Sequence, residues 1–305
     1  MQAAGTVGTT LPADFPVITD ASLGKAVIGF GAPGVVTRTP VIFLHGNNDV
    51  PYATACGPYG RVHAMAQYFA DNGYATSELW ALGYQGDQCD LIGDQTIRSS
   101  AAHTNEANVP DLRRFVQAVL DYSGAKEVDI VAHSLGVTLA REWMRQDKSQ
   151  RLVRRFVAVD GPNHGIINCS PSPDNYWQLG FLGGFTPSSA VCQELGSPNT
   201  PFLIRLNQAA ENMGSTRVLV IRNLEASFVY LPVQDGLIAP VPAIDSFGNA
   251  TDFSASARIA RAHDLGLTGQ GVYDPVLGTA HLGIINSPTT WQAAFEFFAE
   301  PSPRR

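Results

Sequence analysis

Along the chain, short apolar runs of strand length alternate with longer stretches whose apolar residues recur at three- and four-residue spacing. Pro40 to Leu44 reads as a strand, and Arg61 to Asp71 as a helix with Val62, Met65, Ala66 and Phe69 on one side and Gly73 as its stop. Tyr74 to Leu82 reads as the next strand, and Asn108 to Tyr122 as an amphipathic helix closed by Gly124. Val128 to Val131 is a strand, Val137 to Arg145 a helix, and Val153 to Val159 a strand. Thr216 to Ile221 is a further strand and Trp291 to Phe298 a terminal helix. This alternation predicts an α/β domain over 1–305, with a mainly parallel sheet, helices on both faces, and ligand binding at the ends of the strands. The pattern lapses over 162–214, a stretch rich in Gly, Pro, Ser and Asn that reads as a lid-like insertion. Its Tyr176, Trp177, Phe181 and Phe185 either line a substrate site or only pack the insertion onto the body.

Composition narrows the function classes. Of 305 residues 45% are hydrophobic and 15% charged, which suits a folded chain with a large core rather than a disordered one. A net charge of -7 argues against nucleic acid or an anionic membrane surface as partner. No apolar run reaches the length of a transmembrane span. Met1-Gln2-Ala3-Ala4 leads into Gly, Thr and Pro without an apolar segment, so no signal peptide is expected, and the chain fits a cytosolic protein or a mature secreted form. Sequons at Asn168 and Asn249 matter only in a glycosylating host.

The most specific chemistry lies at Ala132-His133-Ser134-Leu135-Gly136, between an apolar strand and a helix. A strand ending in x-His-Ser-x-Gly and turning sharply into a helix resembles the nucleophile elbow of α/β-hydrolases, with Ala132 in place of the usual first glycine. Such a turn lifts the serine hydroxyl clear of the backbone and leaves the Leu135 amide at a helix N-terminus, where a developing oxyanion is stabilised. The second oxyanion donor is expected in the loop after the first strand, at the Asn47 amide of His45-Gly46-Asn47-Asn48-Asp49.

A nucleophilic serine needs a base and an orienting acid, which follow it in the order acid, histidine. His164, His263 and His281 lie downstream, and His281, just before the last helix, is the expected base. The acid is expected at Asp235, in a turn ahead of that base. Asp160, at the end of the strand Val153 to Val159, competes for the role, with Asp245 and Asp274 behind it.

Four cysteines form two local couples, Cys56 with Cys89 and Cys169 with Cys192, the second bracketing part of the insertion. Loop positions among polar residues suit disulfides and secretion, the alternative being four buried thiols. No cysteine has partners at zinc-ligand spacing, so no metal is expected.

Taken together, His45-Gly46-Asn47-x-Asp49, Val128 to Gly136 and Ala280-His281-Leu282-Gly283 resemble the secreted class 2 lipase branch of α/β-hydrolases. That branch includes extracellular poly(3-hydroxybutyrate) depolymerases without a separate polymer-binding domain. The resemblance implies a monomeric, extracellular, cofactor-free serine esterase acting on lipid esters or aliphatic polyesters, its catalytic residues being Ser134, Asp235 and His281. From another class, a non-catalytic binding protein on the same fold is the alternative, opposed by an intact serine, acid and base.

Overall fold

A computed structural model of the chain describes residues 27–54, 60–86, 104–169, 187–210, 213–224, 243–253, 255–268 and 280–301, with two strands at 6–7 and 17–20. The strands, in chain order, are β1 (Thr6–Val7), β2 (Val17–Asp20), β3 (Val27–Phe30), β4 (Val41–Leu44), β5 (Leu79–Gly83), β6 (Val128–His133), β7 (Val153–Val159), β8 (Arg217–Asn223), β9 (Ala243–Ile244), β10 (Ala250–Thr251) and β11 (His263–Leu267). The helices are α1 (Arg61–Asp71), α2 (Asn105–Ser123), α3 (Leu135–Asp147), α4 (Ala190–Leu195), α5 (Pro201–Ala210), α6 (Ala280–Gly283) and α7 (Pro288–Ala299).

Nine strands make one sheet in the order β1-β2-β3-β5-β4-β6-β7-β8-β11. The six strands from β5 to β11 in that order pair in parallel, while β1, β2 and β3 add an antiparallel edge. Both faces are covered, and the strand residues alternate between two cores as a period of two requires. Ile42, Leu44, Ile130, Ala132, Phe156 and Ala158 face α2, α3 and α5. Val41, Phe43, Val131, Val157 and Val159 face α1 and α7. The mainly parallel sheet with helices on both faces expected from the alternation of elements is the one observed, and it agrees with the α/β-hydrolase fold that the resemblance implies.

Element boundaries move where local sequence is ambiguous. Residues 76–78 form a 3-10 turn, so the predicted strand Tyr74 to Leu82 begins only at Leu79. The helix predicted from Asn108 starts at Asn105, with Thr104 Oγ1 accepting the Ala107 N–H at 3.2 Å, and it accommodates Pro110 in its second turn. Within the insertion, α4 and α5 appear where periodicity alone suggests none. The α5 start has a readable signal, since Thr200 Oγ1 accepts the Leu203 N–H at 3.2 Å and Pro201 follows it. Among the described residues no helix is long and apolar enough to cross a membrane.

Cys169 and Cys192 are disulfide-bonded, as their spacing suggests, while Cys56 and Cys89 lie outside the described residues. Two residues beyond this bond, Glu194 serves as the cap of another helix. Its carboxylate accepts the Asn105 N–H at 2.7 Å, the Asn105 amide at 2.9 Å and the Glu106 N–H at 3.3 Å. Asn105 Oδ1 in turn accepts the Thr138 hydroxyl at 2.9 Å, so the disulfide-bearing helix α4 is tied through α2 to the first turn of α3. Burial pushes the Glu194 carboxyl up to about 7, with Glu106 adding to the rise and the three N–H donors opposing it.

Two stability predictions follow from these ties. Replacing both Cys169 and Cys192 by Ala, whose bond spans 23 residues of sequence, should cost about 3 kcal/mol in denaturant unfolding. Glu194 favours its protonated form more in the folded than in the unfolded chain, so its contribution is present at low pH and lost as pH rises through about 7. Glu194→Gln, neutral throughout, should therefore gain on the wild type between about pH 5 and pH 8, by on the order of 1–3 kcal/mol. Urea midpoints at the two pH values measure the difference, and parallel pH trends for the two proteins would refute it.

Candidate active site

At the carboxyl end of the sheet, β6 stops at His133 and α3 starts at Leu135, leaving one residue for the whole change of direction. Ser134 makes it with φ 53 and ψ -125, a conformation that side-chain-bearing residues rarely adopt. Its N–H donates to Val159 O at 2.9 Å on β7, and its C=O accepts the Val137 N–H at 2.9 Å, so both neighbouring elements hold the turn. The turn is possible because two close approaches are made at glycine. A Cβ on Gly46 would lie 3.0 Å from Ser134 Cβ, and one on Gly136 only 2.6 Å from His45 O. Ala132, at the position usually glycine, is tolerated as a fully buried methyl of the core.

His281, on the short helix α6, places Nε2 at 2.9 Å from Ser134 Oγ. With the hydroxyl donating to Nε2, the ring carries its proton on Nδ1. That nitrogen faces Asp160 Oδ2 at 3.6 Å, beyond hydrogen-bond length in this arrangement. Asp160 is fully buried at the end of β7, with φ 44, and its other oxygen accepts the Asn223 N–H at 2.7 Å. Because β7 neighbours β6 in the sheet, the residue after β7 emerges beside the residue after β6. The expected acid, Asp235, lies outside the described residues.

The His281 backbone is held by the residue before the serine. His133 is buried and donates Nε2–H to His281 O at 2.9 Å, with the two rings 4.8 Å apart. Burial holds the His133 imidazole well below the usual histidine range, and the neighbouring His281 lowers it further. His133 is therefore a neutral donor that fixes the His281 backbone.

Of the two backbone amides expected to face an oxyanion, Asn47 lies in the loop after β4 and Leu135 opens α3. Gly46 O accepts His45 Nδ1–H at 2.7 Å and the Asp49 N–H at 3.3 Å. In a trans peptide the N–H points opposite the C=O, so the Asn47 amide is aimed away from these partners. Leu135, first residue of α3, has no intrahelical acceptor for its N–H. The His45 ring stacks on Tyr84 with centroids 4.2 Å apart, and Tyr84 Oη donates to His45 O at 2.7 Å.

The remaining sequence candidates divide cleanly. His164 Nδ1 meets the Asn207 amide at 3.3 Å, within the buried network of Arg141 and Asn163. His263 is exposed on β11. Asp245 is consumed by a hairpin, accepting the Phe247 and Asn249 N–H groups at 2.9 Å each. Tyr176, Trp177, Phe181, Phe185 and Asp274 lie outside the described residues. Tyr84, Gln85 and the hydrogen-bonding role of His133 are features of the site that motif reading does not single out; only a polar pair directly after β5 hints at the first two.

Solved structures share this arrangement of elements. The chain is similar to Bacillus licheniformis lipase BlEst2 in its propeptide form, with TM-score 0.56 and 17% identity over 92% of this chain and 54% of that one. It matches the mature form of that lipase with TM-score 0.52 and 15% identity, covering 88% of this chain and 97% of that chain. Aspergillus fumigatus lipase B superposes with TM-score 0.53 and 15% identity over 92% of this chain and 57% of that one. The chain thus spans little more than half the length of lipase B and of the propeptide form. At such identities the likeness is one of fold. Sequence similarity is more specific, because the profile of the family Lipase (class 2) matches residues 38–231, more than half of the chain, and the protein belongs to that family of hydrolases.

Proposed function

We propose that the protein is a secreted serine carboxylic-ester hydrolase acting on lipid esters or aliphatic polyesters, with Ser134 as nucleophile, His281 as base and Asp160 as orienting acid. The observation that carries this reading is the 2.9 Å contact between Ser134 Oγ and His281 Nε2 on a strained strand-to-helix turn. Asp160 takes the role that sequence order alone suggests for Asp235, because its free oxygen faces the imidazole from a buried strand end. Membership of the class 2 lipases supports the ester as the substrate bond. The Cys169–Cys192 bond is compatible with an oxidising compartment.

The reaction proceeds in two acyl transfers. His281 Nε2 accepts the Ser134 hydroxyl proton as the oxygen attacks the ester carbonyl, and the Asn47 and Leu135 amides receive the oxyanion. The imidazolium then protonates the leaving alkoxide, with Asp160 stabilising its charge through Nδ1–H. Water repeats the sequence on the acyl-enzyme and restores the free serine.

A short p-nitrophenyl ester should release p-nitrophenol, and a fluorophosphonate should label Ser134 stoichiometrically. Ser134→Ala and His281→Ala should each reduce turnover by about 10⁴-fold or more, with the fold retained. Asp160→Asn should cost about 10²- to 10⁴-fold, and Asp235→Asn should stay near wild type. The reverse order for the two aspartates moves the acid to Asp235. Absence of any Ser134-dependent hydrolysis leaves a non-catalytic binding protein. A panel of triglyceride emulsion and amorphous poly(3-hydroxybutyrate) separates lipase from depolymerase.

A further inference from the structure

We infer that Gln85 is the positioning residue of the oxyanion loop, holding Asn47 and Asn48 in the conformation that presents the Asn47 amide to the reacting carbonyl. The inference rests on the serine-hydrolase reading above and adds to it a residue outside the serine, base, acid and amide donors. β4 and β5 are parallel neighbours in register, Leu44 opposite Leu82, so the loops leaving their carboxyl ends run side by side. Residues 84–86 close a tight turn directly after β5, with the Gly86 N–H donating to Gly83 O at 2.9 Å and Gly86 at φ 75. That turn sets the Gln85 side chain, almost fully buried, against the loop after β4.

One amide group then grips two consecutive residues. Gln85 Oε1 accepts the Asn48 N–H at 3.0 Å, and Gln85 Nε2 donates to Asn47 Oδ1 at 2.9 Å. A backbone N–H can only donate, so the atom facing Asn48 is the oxygen and the orientation of the amide is fixed. Asn48 sits at φ 57, in the left-handed region, which a non-glycine residue occupies at a cost. The loop therefore needs an outside partner to stay in this form. Gly46, two residues earlier, approaches Ser134 so closely that small movements of the loop reach the nucleophile. The Asn47 N–H is useful to an oxyanion only if the loop is set before the reaction, since a donor that must reorganise gives up part of its stabilisation.

The test compares wild type with Gln85→Met, which keeps volume and removes both bonds, and Gln85→Glu, which keeps the acceptor for Asn48 and loses the donor to Asn47. Three quantities are read for each: kcat and KM on p-nitrophenyl butyrate, the inhibition constant of an alkylboronic acid that adds to the serine as a tetrahedral anion, and amide hydrogen exchange at Asn48. Gln85→Met should lower kcat by about 10- to 100-fold with KM within about twofold, and weaken boronate inhibition by a similar factor. It should also speed exchange at Asn48. Gln85→Glu should lower kcat likewise but leave Asn48 exchange slow, and it carries the test alone if the methionine variant does not fold. Folded variants with wild-type kcat and boronate inhibition overturn the inference, and so does a loss confined to KM. A wild type without esterase activity or boronate binding overturns the functional reading instead, while Asn48 exchange still reports on the clamp.

Discussion

The site depends on a single backbone conformation, that of Ser134. At φ 53 and ψ -125 it turns a strand into a helix within one residue, at a cost on the order of 1–3 kcal/mol. The cost is borne because the elements on either side are over-determined. All six residues of β6 are buried between two parallel neighbours, and α3 buries ten residues from Leu135 to Met144. A turn this sharp leaves no room for side chains where other backbone passes, hence glycine at 46 and 136. The same crowding brings the loop after β4 against the serine.

Three histidines meet near this turn, and their tautomers follow from the oxygens they face. His45 donates from Nδ1 to Gly46 O and His133 from Nε2 to His281 O, since a carbonyl only accepts. His281 accepts the serine hydroxyl at Nε2 and directs Nδ1 toward Asp160. Burial keeps His133 uncharged beside His281. In the proposed chemistry the proton from Ser134 thus goes to one imidazole, and the other holds that imidazole's backbone in place.

Control of the site extends outward through hydrogen bonds rather than apolar contact alone. Tyr84 and Gln85 hold the loop after β4 from the end of β5. Glu194, Asn105 and Thr138 connect the disulfide-closed segment to the first turn of α3. The stretch 162–214 enters this second chain of bonds through Glu194 of α4.

The alternation of strands and helices, the strand-to-helix turn at Ser134 and the proposed base, His281, were legible because each is written in local spacing or chain order. Period-two and period-3.6 apolar patterns are properties of a few consecutive residues, and β6 with α3 reads directly from them. The proposed acid was not legible to the same degree. An aspartate after a strand looks like a turn residue, and what brings Asp160 to His281 is the adjacency of β7 to β6, which no local pattern encodes. Helix α5 escaped because it lies in a Gly- and Pro-rich stretch, although the Thr200-Pro201 start was there to be read. Gln85 was invisible for a stronger reason, since its partners lie 37 and 38 residues away and meet it only because β4 and β5 pair in parallel. Sequence by itself determined the central strands and helices and the strand-to-helix turn at Ser134, because periodicity and chemical type are local. Tertiary structure alone decided that Asp160 faces His281 and that Gln85 meets Asn47, because strand order is settled by packing over the whole sheet.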